Sequence, residues 1–183
     1  MALLPADPVK RGRVKLALLG AFFLVPVAAS WLAWWFEFVP GTAGNYGTLI
    51  APRPLALPPL PRLKGKWVLV QFDGGACNAR CERKHYFMRQ VRRAQGNEMQ
   101  RVERLWLVTD AVQPRPELLV AIEGTVVAIQ QGAPAAFPAG DSLSEHIYLV
   151  YPLGNLMMRF PRDPDPSRVI RDLQRLLKVS SFG

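Results

Sequence analysis

Leu16 to Phe36, LALLGAFFLVPVAASWLAWWF, contains no charged residue. An apolar stretch of about 20 residues is what a helix needs to cross the hydrocarbon core of a bilayer. This run constrains the chain more than any other feature, because it divides 183 residues into an anchor and an exported part. Pro26 interrupts it, which a membrane helix tolerates because neighbouring groups re-satisfy the freed carbonyl. Lys10, Arg11, Arg13 and Lys15 precede the run and Glu37 follows it, so residues 1–15 are expected to stay in the cytoplasm and 16–36 to span the membrane. Trp31, Trp34 and Trp35 stand at the far end, where an interfacial aromatic belt sits. The rival is a signal peptide cleaved after Ala29 in VAAS. The apolar run continues through three tryptophans past that point, which suits an anchor better. Either way the rest of the chain is exported, to the periplasm if the membrane is a Gram-negative inner membrane.

Export gives meaning to Cys77 and Cys81, the only two cysteines. Outside the cytoplasm a thiol pair ends as a disulfide unless it is reduced or holds a metal. A bridge across three intervening residues closes a very small loop and removes little entropy from the unfolded chain. A structural staple therefore explains the pair poorly, and chemistry explains it better.

The surroundings agree. KWVLVQF (66–72) is a β-branched, apolar run of buried-strand type. DGGA follows as a turn, with Gly74 and Gly75 supplying backbone freedom. From Asn78 the sequence NARCERKHYFMRQVRRAQG is helical in character, with Phe87, Val91 and Ala94 at helical spacing and Gly96 as a stop. Cys77 is then placed at the cap and Cys81 one turn on, on the same face. The helix N-terminus, with Arg80, Arg83 and Lys84, favours thiolate over thiol.

The rest reads as α/β. RLWLVTD (104–110) is a second buried strand, PRPELLVAIEG a short helix between prolines and glycine, and TVVAIQQ an edge-like third strand. HIYLVY and LMMRF, joined by PLGN, form an antiparallel hairpin. DPDPSRVIRDLQRLLKVSS closes the chain as an amphipathic helix with Val169, Ile170, Leu173, Leu176 and Leu177 on one face. This order is that of a thioredoxin-like domain over residues 65–183. Residues 37–64 form a proline-rich linker, in which APRPLALPPLPR (51–62) is expected to be an extended spacer.

An N-terminal anchor, an exported thioredoxin-like domain and CxxxC after the first core strand resemble the Sco/SenC group. The closing IYLVYPLGNLMMRFP resembles the hairpin of those proteins, and the likeness runs from about Gly65 to Lys178. The chain is similar, too, to a set of membrane-anchored proteobacterial proteins encoded beside oxidase-assembly genes. The resemblance implies copper(I) and thiol chemistry at Cys77 and Cys81, and a role in maturing the CuA centre of cytochrome c oxidase. The CuA-bearing subunit would then be the partner.

The group's copper site adds a histidine about five residues before the tyrosine of the hairpin. Here His146 stands two before Tyr148, an offset that changes its face along a strand. His146 is nevertheless the candidate third ligand, with Cys77 and Cys81. His85 shares the helical face of Cys81 and could ligate too, but it is read first as a surface residue of a basic helix. Asp110, in VTD, matches the group's second aspartate-bearing stretch without a clear role. Two thiolates and an imidazole suit copper(I), whereas a closed zinc site wants four ligands. Met157 and Met158 are soft donors too. Being adjacent in a strand, one is expected in the core and the other partly exposed.

Two other functions fit the same residues. A thiol–disulfide oxidoreductase would use one cysteine to attack and the other to resolve. Such enzymes usually have two residues between the cysteines and a proline facing them, and Pro138 is eight residues before His146. An assembly scaffold whose cysteines only sense redox state is the other. Most of the formal charge of +9 lies in the exported part. Arg80, Arg83, Lys84, Arg89, Arg92 and Arg93 crowd the cysteine-bearing helix, where they could steer an acidic partner or rest on anionic headgroups. An anchored, exported domain without a stacking motif is not expected to bind nucleic acid. No phosphate-binding glycine loop, Ser-His-Asp set or hydrolytic carboxylate pair is apparent.

Overall fold

The computed structural model describes residues 8–35, 44–55, 59–132, 134, 137 and 142–181. It divides into two compact units, Met1–Gly44 and Asn45–Gly183.

The first unit holds one helix, α1 (Pro8–Trp35), with Pro26 inside it. Val9–Ala33 is long and apolar enough to cross a membrane, with a mean hydropathy of 2.1. Its large apolar side chains are exposed, Phe22, Trp31 and Trp35 among them. The Ser30 hydroxyl donates to the Pro26 carbonyl across 2.8 Å, an i−4 contact within the helix. Helix α1 takes in Lys10 to Lys15, so the basic residues extend the apolar helix rather than precede it. Phe36 and Glu37 lie outside the described residues.

The second unit is a six-stranded mixed sheet with helices. Its elements are β1 (Thr48–Pro54), β2 (Trp67–Asp73), α2 (Ala79–Arg93), β3 (Val102–Val108), α3 (Pro116–Ala121), β4 (Thr125–Ile129), β5 (Ile147–Val150), β6 (Asn155–Arg159) and α4 (Pro166–Val179). The strand order is β1-β6-β5-β2-β3-β4. Strands β2, β3 and β4 run parallel, while β5, β6 and β1 add antiparallel pairs beside β2. The hairpin and the edge position of TVVAI are as the sequence implies.

Every residue of β2 is buried, as expected of a strand covered on both faces. Its alternation sorts the core into two layers. Val68, Val70 and Phe72 pack with Leu105, Leu107, Tyr148, Val150 and the segment around Leu55, Leu60 and Leu63. Trp67 and Leu69 face the other way, against Met88 and Val91 of α2 and Val169, Leu173 and Leu177 of α4. Gln71 and Asp73 follow on that helix-covered face by period two, and both are buried.

Of the stretch 51–62, read from its prolines as a spacer, residues 51–55 and 59–62 are tied into this unit. Thr48 pairs with Arg159 and Leu49 with Met158, placing β1 at the edge of the sheet. An edge strand needs only one row of donors, so proline is tolerated there. Buried Asp172 of α4 accepts from the backbone N–H groups of Tyr46 (2.8 Å) and Gly47 (3.0 Å). A Cβ on Gly47 would meet Met158 Sδ at 2.3 Å, so the chain passes there without room for a side chain. Met158 is fully buried and Met157 half-buried, the split that strand alternation implies.

Candidate thiol and metal site

Strand β2 delivers the chain to the turn 74–76, and the reason for two glycines there is close approach. Gly75 N–H donates to Asp110 Oδ1 (2.9 Å), which also accepts from Val112 N–H (3.1 Å). A Cβ on Gly75 would lie 1.7 Å from the Val112 carbonyl oxygen, and one on Gly74 2.4 Å from Asp110 Oδ2. The left-handed backbone falls instead on Cys77, with φ 43°. The sequence places unusual angles at the glycines; the structure instead needs them for their missing side chains and gives Asp110 the role of clamping the turn.

Asn78, rather than Cys77, caps α2. Its side-chain oxygen accepts from Arg80 N–H (3.0 Å) and Cys81 N–H (3.1 Å), two of the donors a helix N-terminus leaves open. Cys77 therefore sits just before the cap and Cys81 in the first turn. Their Cα atoms are 5.2 Å apart and the sulfurs form a disulfide. Both are buried, Cys81 completely, in a cluster with Trp106, Val108, Leu118 and Ile122.

Beneath Cys81 lies a buried polar network. Gln71 Nε2 is 3.2 Å from Cys81 Sγ, 3.3 Å from the Cys81 carbonyl and 3.3 Å from Asp73 Oδ2. Lys84 Nζ meets Asp73 Oδ2 at 2.5 Å and donates to the carbonyls of Ser144 (2.5 Å) and Phe72 (3.4 Å). Burial pushes the Asp73 carboxyl up from its ordinary range and the Lys84 ammonium down from its own. The ion pair counteracts both shifts without cancelling them. Lys84 is thus no free surface charge. Arg80 is half-exposed and faces Glu145 at 3.6 Å. Less positive charge reaches the sulfurs than a list of basic residues implies.

His85 is the main departure. The sequence places it on the surface; the structure leaves it 2% exposed. Its ring packs edge-on against Trp106 with centroids 4.8 Å apart. Neither ring nitrogen has a hydrogen-bond partner. Burial first, then the positive charges of Lys84 and Arg104, lower its pKa to about 4, so the ring is neutral near pH 7. One ligand atom each from Cys77, Cys81 and His85 lie within 4.8 Å of one another. Cys81 and His85, four residues apart, share one face of α2, and Cys77, ahead of the cap, is held beside Cys81 by the disulfide.

His146, the histidine the resemblance implies, is half-buried just ahead of β5. Its Nδ1 is 2.8 Å from the Phe160 carbonyl oxygen. It is not part of the Cys77, Cys81 and His85 group. Five residues before Tyr148 stands Leu143, which packs against the core. Pro138 lies outside the described residues. Gln71, Asp73 and Lys84 were not singled out from sequence as site residues. The available signal was two polar residues at period two inside an apolar strand, and a lysine three residues after a cysteine.

No curated protein matches the chain by sequence. Among solved structures, copper-bound Arabidopsis thaliana ScoI is similar at TM-score 0.51 and 14% identity, covering 74% of this chain and all of that one. Copper-bound yeast Sco1 is similar at TM-score 0.50 and 14% identity, over 66% of this chain and 84% of that one. At this identity the likeness establishes the fold, which is thioredoxin-like and of the Sco type. Residues 67–180 match the family described as transmembrane-like, thioredoxin-like, C-terminal domain. They carry the sheet from β2 onward, the disulfide and α4, and the chain belongs to that family.

Proposed function

We propose that the chain is a membrane-anchored Sco-like protein that carries copper(I) on reduced Cys77 and Cys81 in support of CuA maturation in cytochrome c oxidase. The observation that carries this reading is the Cys77, Cys81 and His85 group, with ligand atoms within 4.8 Å. Two soft sulfurs and an imidazole are a donor set that selects copper(I) over harder ions. His85 is neutral and has no other hydrogen-bond partner, so neither a proton nor a competing bond has to be displaced for it to ligate. His146 is the alternative third ligand. The copper-bound Sco relatives support the reading by fold alone. The anchor at 16–36, export of the domain beyond residue 65 and a periplasmic location belong to the same proposal.

The bonded form of the pair favours a second reading alongside the first, thiol–disulfide exchange with a partner. A cysteine thiolate attacks a sulfur of the partner's disulfide, the partner's S–S bond breaks, and a mixed disulfide forms. The second cysteine thiolate then attacks that bond and releases the partner as a dithiol. The chain is left with the Cys77–Cys81 disulfide. A donor dithiol restores it by the reverse exchange.

The test is anaerobic copper(I) titration of the reduced full chain in detergent, with Cys77→Ser/Cys81→Ser, His85→Ala and His146→Ala beside it. One-to-one binding that is lost with the cysteines and weakened with His85 is expected. Binding no stronger than that of the cysteine-free variant overturns the copper reading. Weakening with His146 and not His85 moves the third ligand to His146.

A further inference from the structure

The C-terminal half of α2 carries a second concentration of chemistry that the disulfide site does not use. Arg89, Arg92 and Arg93, with Arg104 of β3, border a pocket of about 360 Å³ between α2, the start of β3 and the turn after α3. Arg89 to Arg93 lie eight to twelve residues beyond Cys81, which at 1.5 Å per residue is roughly 12–18 Å along the helix.

Arg104 is the informative member. It is 3% exposed, and its Nη2 donates to the Glu123 carbonyl at 2.7 Å. Its Nε and Nη1 are buried and have no partner in the protein. Arg89 repeats the pattern, since Nη1 donates to the Ala121 carbonyl (3.2 Å) while Nε is buried and unpartnered. Arg92 donates from Nε to the Val102 carbonyl (2.5 Å) and reaches Glu103 at only 3.6 Å. Arg93 stands exposed at the rim.

A guanidinium stays protonated in proteins, and leaving a buried charged donor unpaired is costly. Burial and the neighbouring Arg92, Arg89 and Arg93 all disfavour the Arg104 charge, with Glu103 the opposing influence. Four guanidiniums against the carboxylates of Glu103 and Glu123 leave the pocket about two charges positive. Planar forks with spare N–H groups match the tetrahedral oxyanion of a phosphate bidentately.

We propose that this pocket binds a phosphate-type oxyanion, with Arg104 at its floor and Arg89, Arg92 and Arg93 around it. The phosphate is either free or carried by an anionic lipid headgroup. The pocket shares no residue with the Cys77, Cys81 and His85 group, and its test reads phosphate rather than copper.

The test uses the full chain in non-ionic detergent, titrated with inorganic phosphate by calorimetry and thermal unfolding against chloride of equal ionic strength. Saturable, phosphate-specific binding is expected, weakened at least tenfold by Arg104→Lys and about threefold by Arg93→Gln. Arg93 is exposed, so that variant decides the matter should Arg104→Lys fail to fold. Nanodiscs of phosphatidylcholine with and without phosphatidylglycerol distinguish the sources. Loss of phosphate binding in the phosphatidylglycerol discs identifies a headgroup, and unchanged binding identifies free phosphate. An absence of any phosphate-specific effect overturns the proposal, as does binding that the variants leave unaltered.

Discussion

Gln71 Nε2 lies 3.2 Å from Cys81 Sγ and 3.3 Å from Asp73 Oδ2. One side-chain amide thus joins a disulfide sulfur to a buried carboxylate. An N–H donor stabilises a sulfur more as negative charge develops on it. Gln71→Met is therefore expected to make the disulfide harder to reduce. Loss of about 1.4 kcal/mol corresponds to a potential about 30 mV more negative, measurable by equilibration with a dithiothreitol buffer. An unchanged potential would show that the amide only positions Asp73.

Asp73 and Lys84 form the buried ion pair of this network. Removing one partner leaves the other charge uncompensated, so Asp73→Ala is expected to cost about 3–5 kcal/mol. Replacing both, as Asp73→Leu/Lys84→Met, is expected to recover most of that loss, because the pair's attraction only offsets its desolvation. Urea denaturation of the three proteins checks this.

His85 makes stability depend on pH in a defined window. Its pKa is held at about 4 in the folded protein, against about 6.5 in an unfolded chain. Between these values the unfolded chain binds the extra proton, so stability rises with pH there. The contribution is complete above pH 6.5 and is lost progressively as pH falls to about 4, a difference of roughly 3 kcal/mol. His85→Phe keeps the ring against Trp106 and is expected to flatten this part of the profile. Equal slopes for both proteins would overturn the assignment.

The turn at 74–76 has no space to give. Gly75→Ala sets a Cβ against the Val112 carbonyl at 1.7 Å, so backbone has to shift and the bond to Asp110 is lost. A destabilisation of about 2–4 kcal/mol is expected, with Asp110→Ala costing about 1–2 kcal/mol. Thermal unfolding ranks the two.

The sequence showed the layered α/β order because β2, β3 and the β5–β6 hairpin are built from apolar, β-branched runs whose character is local. It brings Cys77 and Cys81 forward as a pair because two close cysteines beside glycines have few structural uses, and the structure bonds them to each other. The charges around His85 suggest the surface, but its spacing from Cys81 puts it on the buried face. The buried stripe of α2 is Cys81, Lys84, His85, Met88 and Val91, a regular helical face with two titratable residues in it. Of the expected stripe Phe87, Val91 and Ala94, Phe87 is half-buried and Ala94 exposed. Nothing local identifies Lys84 of α2 as interior, since its burial depends on Asp73 at the end of β2. Strand β1 was equally hidden, because Thr48 finds its partner at Arg159 and the intervening prolines advertise a spacer.

That strand has a practical meaning for anyone trimming the chain. A fragment beginning at Gly65 would strip β6 of its outer neighbour and uncover a row of backbone donors and acceptors. Open sheet margins recruit other chains, and prolines on an outermost strand discourage that. The four residues APRP (51–54) sit on that margin. They act as a hem on the fabric of the sheet, so a fragment of this unit has to include the chain from Asn45 to stay monodisperse.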